Sequence, residues 1–208
     1  MSTAKPTGTS TAKLTSPPMG TSTGTLGTIP ASRTTEAFSR RSGPANALAG
    51  DAEAIAAACH AMARRFHRAG RLVVFGSGGA GSDAAHVVVE FVHPVIVGKR
   101  ALPAFALTGP NLAGQLALLA EPADIALAIA ADGGDELADA VAAARAAGLL
   151  TVALLGGDGG RIVGEGLAEH TLVVRSADPL VVKEVQVTTY HVLWELVHVF
   201  AEQPGVLA

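Results

Sequence analysis

Cysteine is nearly absent. Cys59 is the only one among 208 residues, so no disulfide can form within the chain and nothing marks an oxidising compartment. Aromatic residues are scarce, at 4%, so a core of any size must be built from aliphatic side chains. Neither charge is in strong excess. The formal net charge of −3 gives no electrostatic case for nucleic acid or an anionic membrane as a partner. Long apolar runs are missing too. No stretch reaches the roughly 18–20 uninterrupted apolar residues that a membrane helix needs, and the N-terminus has no apolar signal-peptide core. The expectation is a cytoplasmic protein that binds neither nucleic acid nor membrane.

What is present is small and aliphatic. Hydrophobic residues make up 49% of the chain, and Ala, Val, Leu and Gly dominate. That is enough for one domain with a sizeable core. The first 48 residues are of a different kind. They are rich in Thr, Ser, Gly and Pro, with few large apolar residues. Such a segment buries too little surface to offset its ordering entropy, which predicts a disordered tail over residues 1–48 and a folded domain over 49–208. A transit peptide would show an amphipathic arginine pattern, which is not evident here, so a plain tail is the reading.

From residue 51 onward, strand and helix patterns alternate. DAEAIAAACHAMARRFHRAG has helical spacing and stops at Gly70. RLVVFG, ALPAFALTG, DIALAIAAD, LLTVALLGG and HTLVVRS read as strands. SDAAHVVVEFVHP reads as a helix capped by Ser82 or Asp83, and DELADAVAAARAAG as a helix with Asp135 as its N-cap. A short helix or turn is expected over 159–166, and a long last helix starts at Pro179. Continuously apolar strands alternating with helices predict an α/β fold, a three-layer α/β/α sandwich around a five-stranded parallel sheet. Ligands of such sheets bind at the carboxyl ends of the strands, near the switch in strand order. The loops at 76–82, 108–114, 131–135 and 156–160 are therefore the ones to watch.

The chemistry-bearing stretch is GSGGAGSDAAHVVVE, residues 76–90. A glycine-rich turn enters a helix that places His86 and Glu90 four residues apart, on one face. Imidazole suits a metal ion, and a carboxylate suits proton abstraction beside a carbonyl. A hydrogen-bonded pair in a polar pocket satisfies the same spacing. His191, in the last helix, reads equally as a core or interface histidine. Cys59 reads as a small core residue, and Asp158 as a turn residue.

GRLVVFGSGGAGSDAAHVVVEFV followed by KRALPAFALTG resembles the sugar isomerase (SIS) domain, in its phosphoheptose isomerase branch. The resemblance spans about residues 50–203 and includes AAARAAGLLTVALLGGDGG and the last helix with His191. It implies a flavodoxin-like topology and binding of a sugar or sugar derivative by Gly76, Ser77, Gly78 and Gly79. It also implies aldose–ketose isomerase chemistry, with Glu90 as base, His191 as acid and His86 as ligand or orienting group. If zinc is retained, His86, Glu90 and His191 are its ligands. The family's fourth ligand, a glutamine eight residues before the second histidine, falls on Lys183. An ammonium is not a zinc ligand. Either no metal is bound and Lys183 pairs with Glu90 and polarises the substrate carbonyl, or Lys183 turns to solvent beside a three-ligand zinc site. The first is the working expectation.

The phosphate pocket departs further from the pattern. The serine expected at the end of the glycine turn is Ala80, and Ser77 stands where asparagine is usual. The serine- and threonine-rich loop becomes Ala130, Ala131, Asp132 and Asp135. Carboxylates at a helix N-terminus accept the bonds a phosphate would, so Asp132 and Asp135 are expected to fill the anion site and alter the substrate. TGPNLAGQLALLAEPAD also looks shorter than its counterpart. A homodimer or homotetramer is expected, since the first and last helices carry more apolar surface than one domain needs. The alternative function is a non-catalytic SIS oligomer acting on a protein partner.

Overall fold

The computed structural model describes residues 31–207. Five parallel strands form one sheet: β1 (Leu72–Gly76), β2 (Ala104–Leu107), β3 (Ile125–Ile129), β4 (Leu150–Gly156) and β5 (His170–Val174). Their order is β2-β1-β3-β4-β5. The order reverses at β1, which pairs with β2 on one side and β3 on the other. The turn after β1 and the loop after β3 are thereby neighbours at the carboxyl edge, the position where open parallel sheets bind ligands.

The two faces of the sheet are built from different residues. Leu72, Val74, Ile125, Leu127, Ile129, Val152 and Leu154 share one core with α3 (Ala52–His67), α4 (Gly81–Val92) and α8 (Pro179–Ala201). On the other face Ala126, Ala128, Ala130 and Ala153 meet Ala138, Ala140 and Ala144 of α6 (Asp135–Ala146). Alternate residues of a strand point to opposite faces, and β3 divides most sharply, with isoleucine and leucine toward one layer and alanine toward the other. This fits the scarcity of aromatics, since much of the second layer is alanine against alanine.

Two further helices, α1 (Ala31–Ser39) and α2 (Ser42–Ala49), correct the expectation of disorder over residues 31–48. Residues 1–30 of the predicted tail lie outside the described residues. The order of α2 comes from tertiary contact rather than composition. Leu48 is buried in the core, Arg41 pairs with Glu184 of α8, and Arg40 lies 3.1 Å from Asp178, just before α8. A few anchors of this kind suffice when an existing surface receives them.

Smaller differences have equally local causes. At the end of α3 it is Ala69, not Gly70, that takes the left-handed conformation, at φ 64°. Gly70 serves a close approach instead, because a Cβ there would stand 2.3 Å from the Ala123 carbonyl oxygen. Helix α5 (Leu112–Leu119), to which the sequence reading assigns no element, starts from Asn111 at φ 61°. The Asn111 side chain accepts a hydrogen bond from the Gly114 amide, a side-chain cap of the usual kind. Helix α7 (Gly160–Gly164) occupies the region expected to hold a short helix. Among the described residues no helix is long and apolar enough to cross a membrane.

At the amino edge of the sheet lies an ion pair whose carboxylate is buried. Asp124, 2% exposed, precedes β3, and Arg71 precedes β1. The carboxylate accepts from the Arg71 amide at 2.8 Å, the Arg71 side chain at 2.7 and 3.3 Å, and the Glu121 amide at 2.9 Å. Burial pushes the Asp124 carboxyl upward. The Arg71 guanidinium and the two amides outweigh it and hold the group below its ordinary value.

Candidate functional site

Two helices bring the site together. On α4, Asp83, His86 and Glu90 follow at intervals of three and four residues. On α8, Lys183, Tyr190 and His191 do much the same over seven and eight. Residues so spaced lie on one side of a helix, and α4 and α8 pack against each other and against the sheet.

His86 Nε2 lies 3.2 Å from Glu90 Oε1, and His191 Nε2 lies 3.8 Å from the same oxygen. All three candidate ligand atoms are within 4.8 Å of one another. The predicted trio is therefore assembled. The two histidine side chains are 43% and 45% exposed, whereas Glu90 is 15% exposed, so the carboxylate sits deeper with the imidazoles over it. Two imidazole nitrogens and one carboxylate oxygen match the donor set of zinc sites that keep an open fourth position. Around such an ion the ligand atoms stand about 3–3.5 Å apart, so the observed spacing needs only a small contraction. The residues present fit a divalent cation.

The expected pairing of Lys183 with Glu90 is not formed. Its Nζ lies 2.5 Å from Asp83 Oδ2. Asp83 stands two helical turns before Glu90 on α4, level with Lys183 on α8, so the carboxylate in register takes the ammonium. Asp83 is also not the N-cap of α4. That position is Ala80, with no side-chain cap, and Asp83 lies inside the first turn. Ser82 likewise lies within the helix, where its hydroxyl donates to the Gly79 carbonyl. The Lys183–Asp83 pair leaves the His86–Glu90–His191 cluster without an internal cation.

The glycine turn separates two cavities. One, of about 420 Å³, is lined by Ser77, Gly79, Ser82, Asp83, Ala131 and Lys183, among others. The other, of about 470 Å³, is lined by Gly76, Ser77, Gly78 and Thr108 together with Glu136. Gly76 allows the turn to close: a Cβ there would meet the Ile129 carbonyl oxygen at 2.7 Å and Ala80 Cβ at 2.8 Å. His86, Glu90 and His191 line neither cavity. They lie further along α4 and α8 than Asp83 and Lys183, which do line the first.

Asp132 and Asp135 do not behave as expected. Both are exposed, and the Asp135 side chain is 91% exposed. The N-cap of α6 is Gly134, with ψ 156° and no side-chain cap. Asp135 is then the first helical residue, from which a carboxylate does not fold back as a cap. Its recorded ion-pair partner is Arg161, at 3.9 Å. The carboxylates therefore do not fill the helix terminus.

Sequence reasoning missed two members of this region. Tyr190, the only tyrosine, is 1% exposed, and its hydroxyl lies 2.8 Å from His86 Nδ1. Burial, then the charges of Asp83 and Glu90, push the phenol up to about 12, so it stays protonated. Gln186 donates to the carbonyls of Ala130, at 2.7 Å, and Leu154, at 3.1 Å, fixing α8 to the ends of β3 and β4. A lone polar ring within an apolar helix was the available signal for Tyr190. For Gln186, the signal was its position one turn after Lys183. Cys59 is fully buried, and burial pushes its thiol up to about 12, so it is an inert core residue.

A parallel sheet of this order, with helices on both faces, is the architecture that this chain shares with sugar isomerase domains. The sugar isomerase domain of the RpiR transcription factor from Sphaerobacter thermophilus shares the fold at a TM-score of 0.60 and 19% identity, over 84% of this chain and 93% of that one. A phosphoheptose isomerase from Francisella tularensis is closer, with a TM-score of 0.73 and 25% identity over 82% of this chain and 98% of that one. In sequence the chain is 34% identical over 169 residues to the phosphoheptose isomerase of Chlorobium phaeobacteroides, covering 71% of this chain and 73% of that protein. With the phosphoheptose isomerase of Roseiflexus sp. it is 31% identical over 159 residues, covering 69% and 80%. No family model matches the chain. On these relatives, the chain belongs to the phosphoheptose isomerase family.

Proposed function

We propose that the protein is an aldose–ketose isomerase acting on a sugar derivative at His86, Glu90 and His191. The observation that carries this reading is the convergence of their three donor atoms within 4.8 Å, in a chain whose relatives are named phosphoheptose isomerases. Glu90 takes the proton from the carbon beside the carbonyl and returns it to the former carbonyl carbon. His191 gives a proton to the carbonyl oxygen and accepts the one released by the neighbouring hydroxyl. His86 orients Glu90 through the 3.2 Å contact.

The same three residues would alternatively hold a zinc ion, and a bound divalent cation would then supply polarisation of the sugar carbonyl in place of the proton from His191. Lys183, neutralised by Asp83, no longer opposes a cation at the cluster. On the wall of the 420 Å³ cavity it keeps donors beyond its bond to Asp83, which suits a substrate oxygen. This favours the three-ligand arrangement over the metal-free one.

The substrate differs from a phosphoheptose in its anionic end. Ala80, Ala130 and Ala131 offer no hydroxyl, and Ala130 is fully buried. Asp132 and Asp135 add negative charge nearby. An unphosphorylated sugar, or one bearing a cationic group, is the better match. Self-association is part of the same reading. Leu48, Ile55, Val185, Val192 and Leu196 line an apolar groove of about 250 Å³ between α2, α3 and α8, suited to a homodimer or homotetramer, and sedimentation would give the stoichiometry.

The test of the activity is proton NMR in deuterated buffer, with and without zinc, using sedoheptulose 7-phosphate and its unphosphorylated counterpart. Deuterium is expected beside the carbonyl of the unphosphorylated sugar. Exchange confined to the phosphorylated one would overturn the substrate assignment. No exchange with either would turn the search toward a non-catalytic role.

A further inference from the structure

His86 is held from both ends of its ring. Nε2 lies 3.2 Å from Glu90 Oε1, and Nδ1 lies 2.8 Å from the Tyr190 hydroxyl. The Tyr190 ring meets the His86 ring edge-on, with centroids 5.3 Å apart and planes at 77°, and packs against His191 at 4.9 Å. A neutral imidazole carries one proton, and which nitrogen bears it is set by the partner of the other. A carboxylate can only accept, so the Glu90 side calls for the proton on Nε2. A phenol can donate, so Nδ1 can then accept from Tyr190. The arrangement is consistent only in that sense.

We propose that Tyr190 is a positioning residue that, together with Glu90, fixes the tautomer and orientation of the His86 ring. In the metal-free protein its hydroxyl donates to Nδ1 and keeps the ring proton on Nε2. When Nε2 serves as a metal ligand the proton resides on Nδ1, and the same hydroxyl turns to accept it. One side chain thus serves both states without moving its ring, which neither a carboxylate nor a backbone carbonyl can do. The second half of this inference rests on the metal reading above, and the first half does not.

The experiment is nitrogen-15 NMR of the histidine rings in the full-length, metal-free protein at about pH 8, where an ordinary imidazole is neutral. His86→Asn identifies the His86 signals. The wild-type spectrum is expected to show an unprotonated Nδ1 and a protonated Nε2. Tyr190→Phe is expected to give a mixture of tautomers and to weaken zinc binding about 10–100-fold, the usual cost of losing an outer partner of a ligating histidine. A proton on Nδ1 in the metal-free wild type would overturn the inference whether or not the variant folds. So would unchanged tautomers and zinc affinity in Tyr190→Phe. If the wild type binds no zinc, the metal reading and the second half fall together, and the comparison of the wild-type and Tyr190→Phe spectra still decides the first half.

Discussion

The sheet carries a charged carboxylate near each of its edges, and the two are treated differently. Asp124, at the amino edge, accepts four hydrogen bonds from Arg71 and Glu121 and is closed on every side. Asp83, beyond the carboxyl edge, has one recorded partner, Lys183, and stands on the wall of a cavity. Both are buried. Burial alone therefore does not distinguish a structural carboxylate from one poised for use. The number of fixed donors around it and the free space beside it do. Asp124 ties the starts of β1 and β3 together. The Asp83 pair and the Glu90 cluster leave bonding capacity unspent.

Substitutions can break this comparison. Glu90→Gln keeps the shape and removes the base, so proton exchange into substrate should fall by about 10²–10⁴-fold with the melting temperature nearly unchanged. Retained exchange would move the base elsewhere. Asp124→Asn should be the costliest of the four substitutions for stability, about 2–3 kcal/mol, since the Arg71 it leaves unpaired is partly exposed, read by chemical denaturation. The same site predicts a pH dependence. The folded-state pKa of Asp124 is depressed, so its contribution is present above its unfolded value of about 4 and lost as pH falls through the folded one. Asp124→Asn should therefore flatten the acid side of the stability profile.

Lys183→Met should cost less, about 1–2 kcal/mol, since Lys183 is half exposed and Asp83 can draw on water from the cavity. It should also leave zinc binding intact, because Lys183 touches none of the three candidate ligands. Loss of zinc binding in that variant would return Lys183 to the metal cluster. The smallest effect belongs to Asp132→Ser with Asp135→Ser. Both residues are exposed and neither caps α6, so stability should change by less than about 0.5 kcal/mol. Affinity for a phosphosugar should rise only a few-fold, as screened repulsion is relieved. A large gain would show that these carboxylates do block the anion site.

The parts of the molecule differ in how far the sequence exposed them. Strands such as LVVFG and IALAI were legible because buried parallel strands are apolar throughout. The pairing of His86 with Glu90 was legible because four residues make roughly one turn. The partner of Lys183 was not, because it depends on how far α4 and α8 are shifted along each other, and no spacing within one helix encodes that. Asp135 failed as a cap by one residue, since Gly134 supplied the extended backbone instead. Helix α2 was hidden because its order comes from Glu184 and the core rather than from its own composition.

The alanine layer has a further consequence. Ala126, Ala128 and Ala130 set the distance at which α6 rides over the sheet, and α6 begins where the 130–134 loop ends. The layer therefore acts as a spacer whose thickness aims that loop at the cavity. Two added methyl groups, as in Ala128→Val, would be felt at the mouth of the site as well as in the core. The shape of the cavity mouth is thus constrained from behind, by side chains that do not line it.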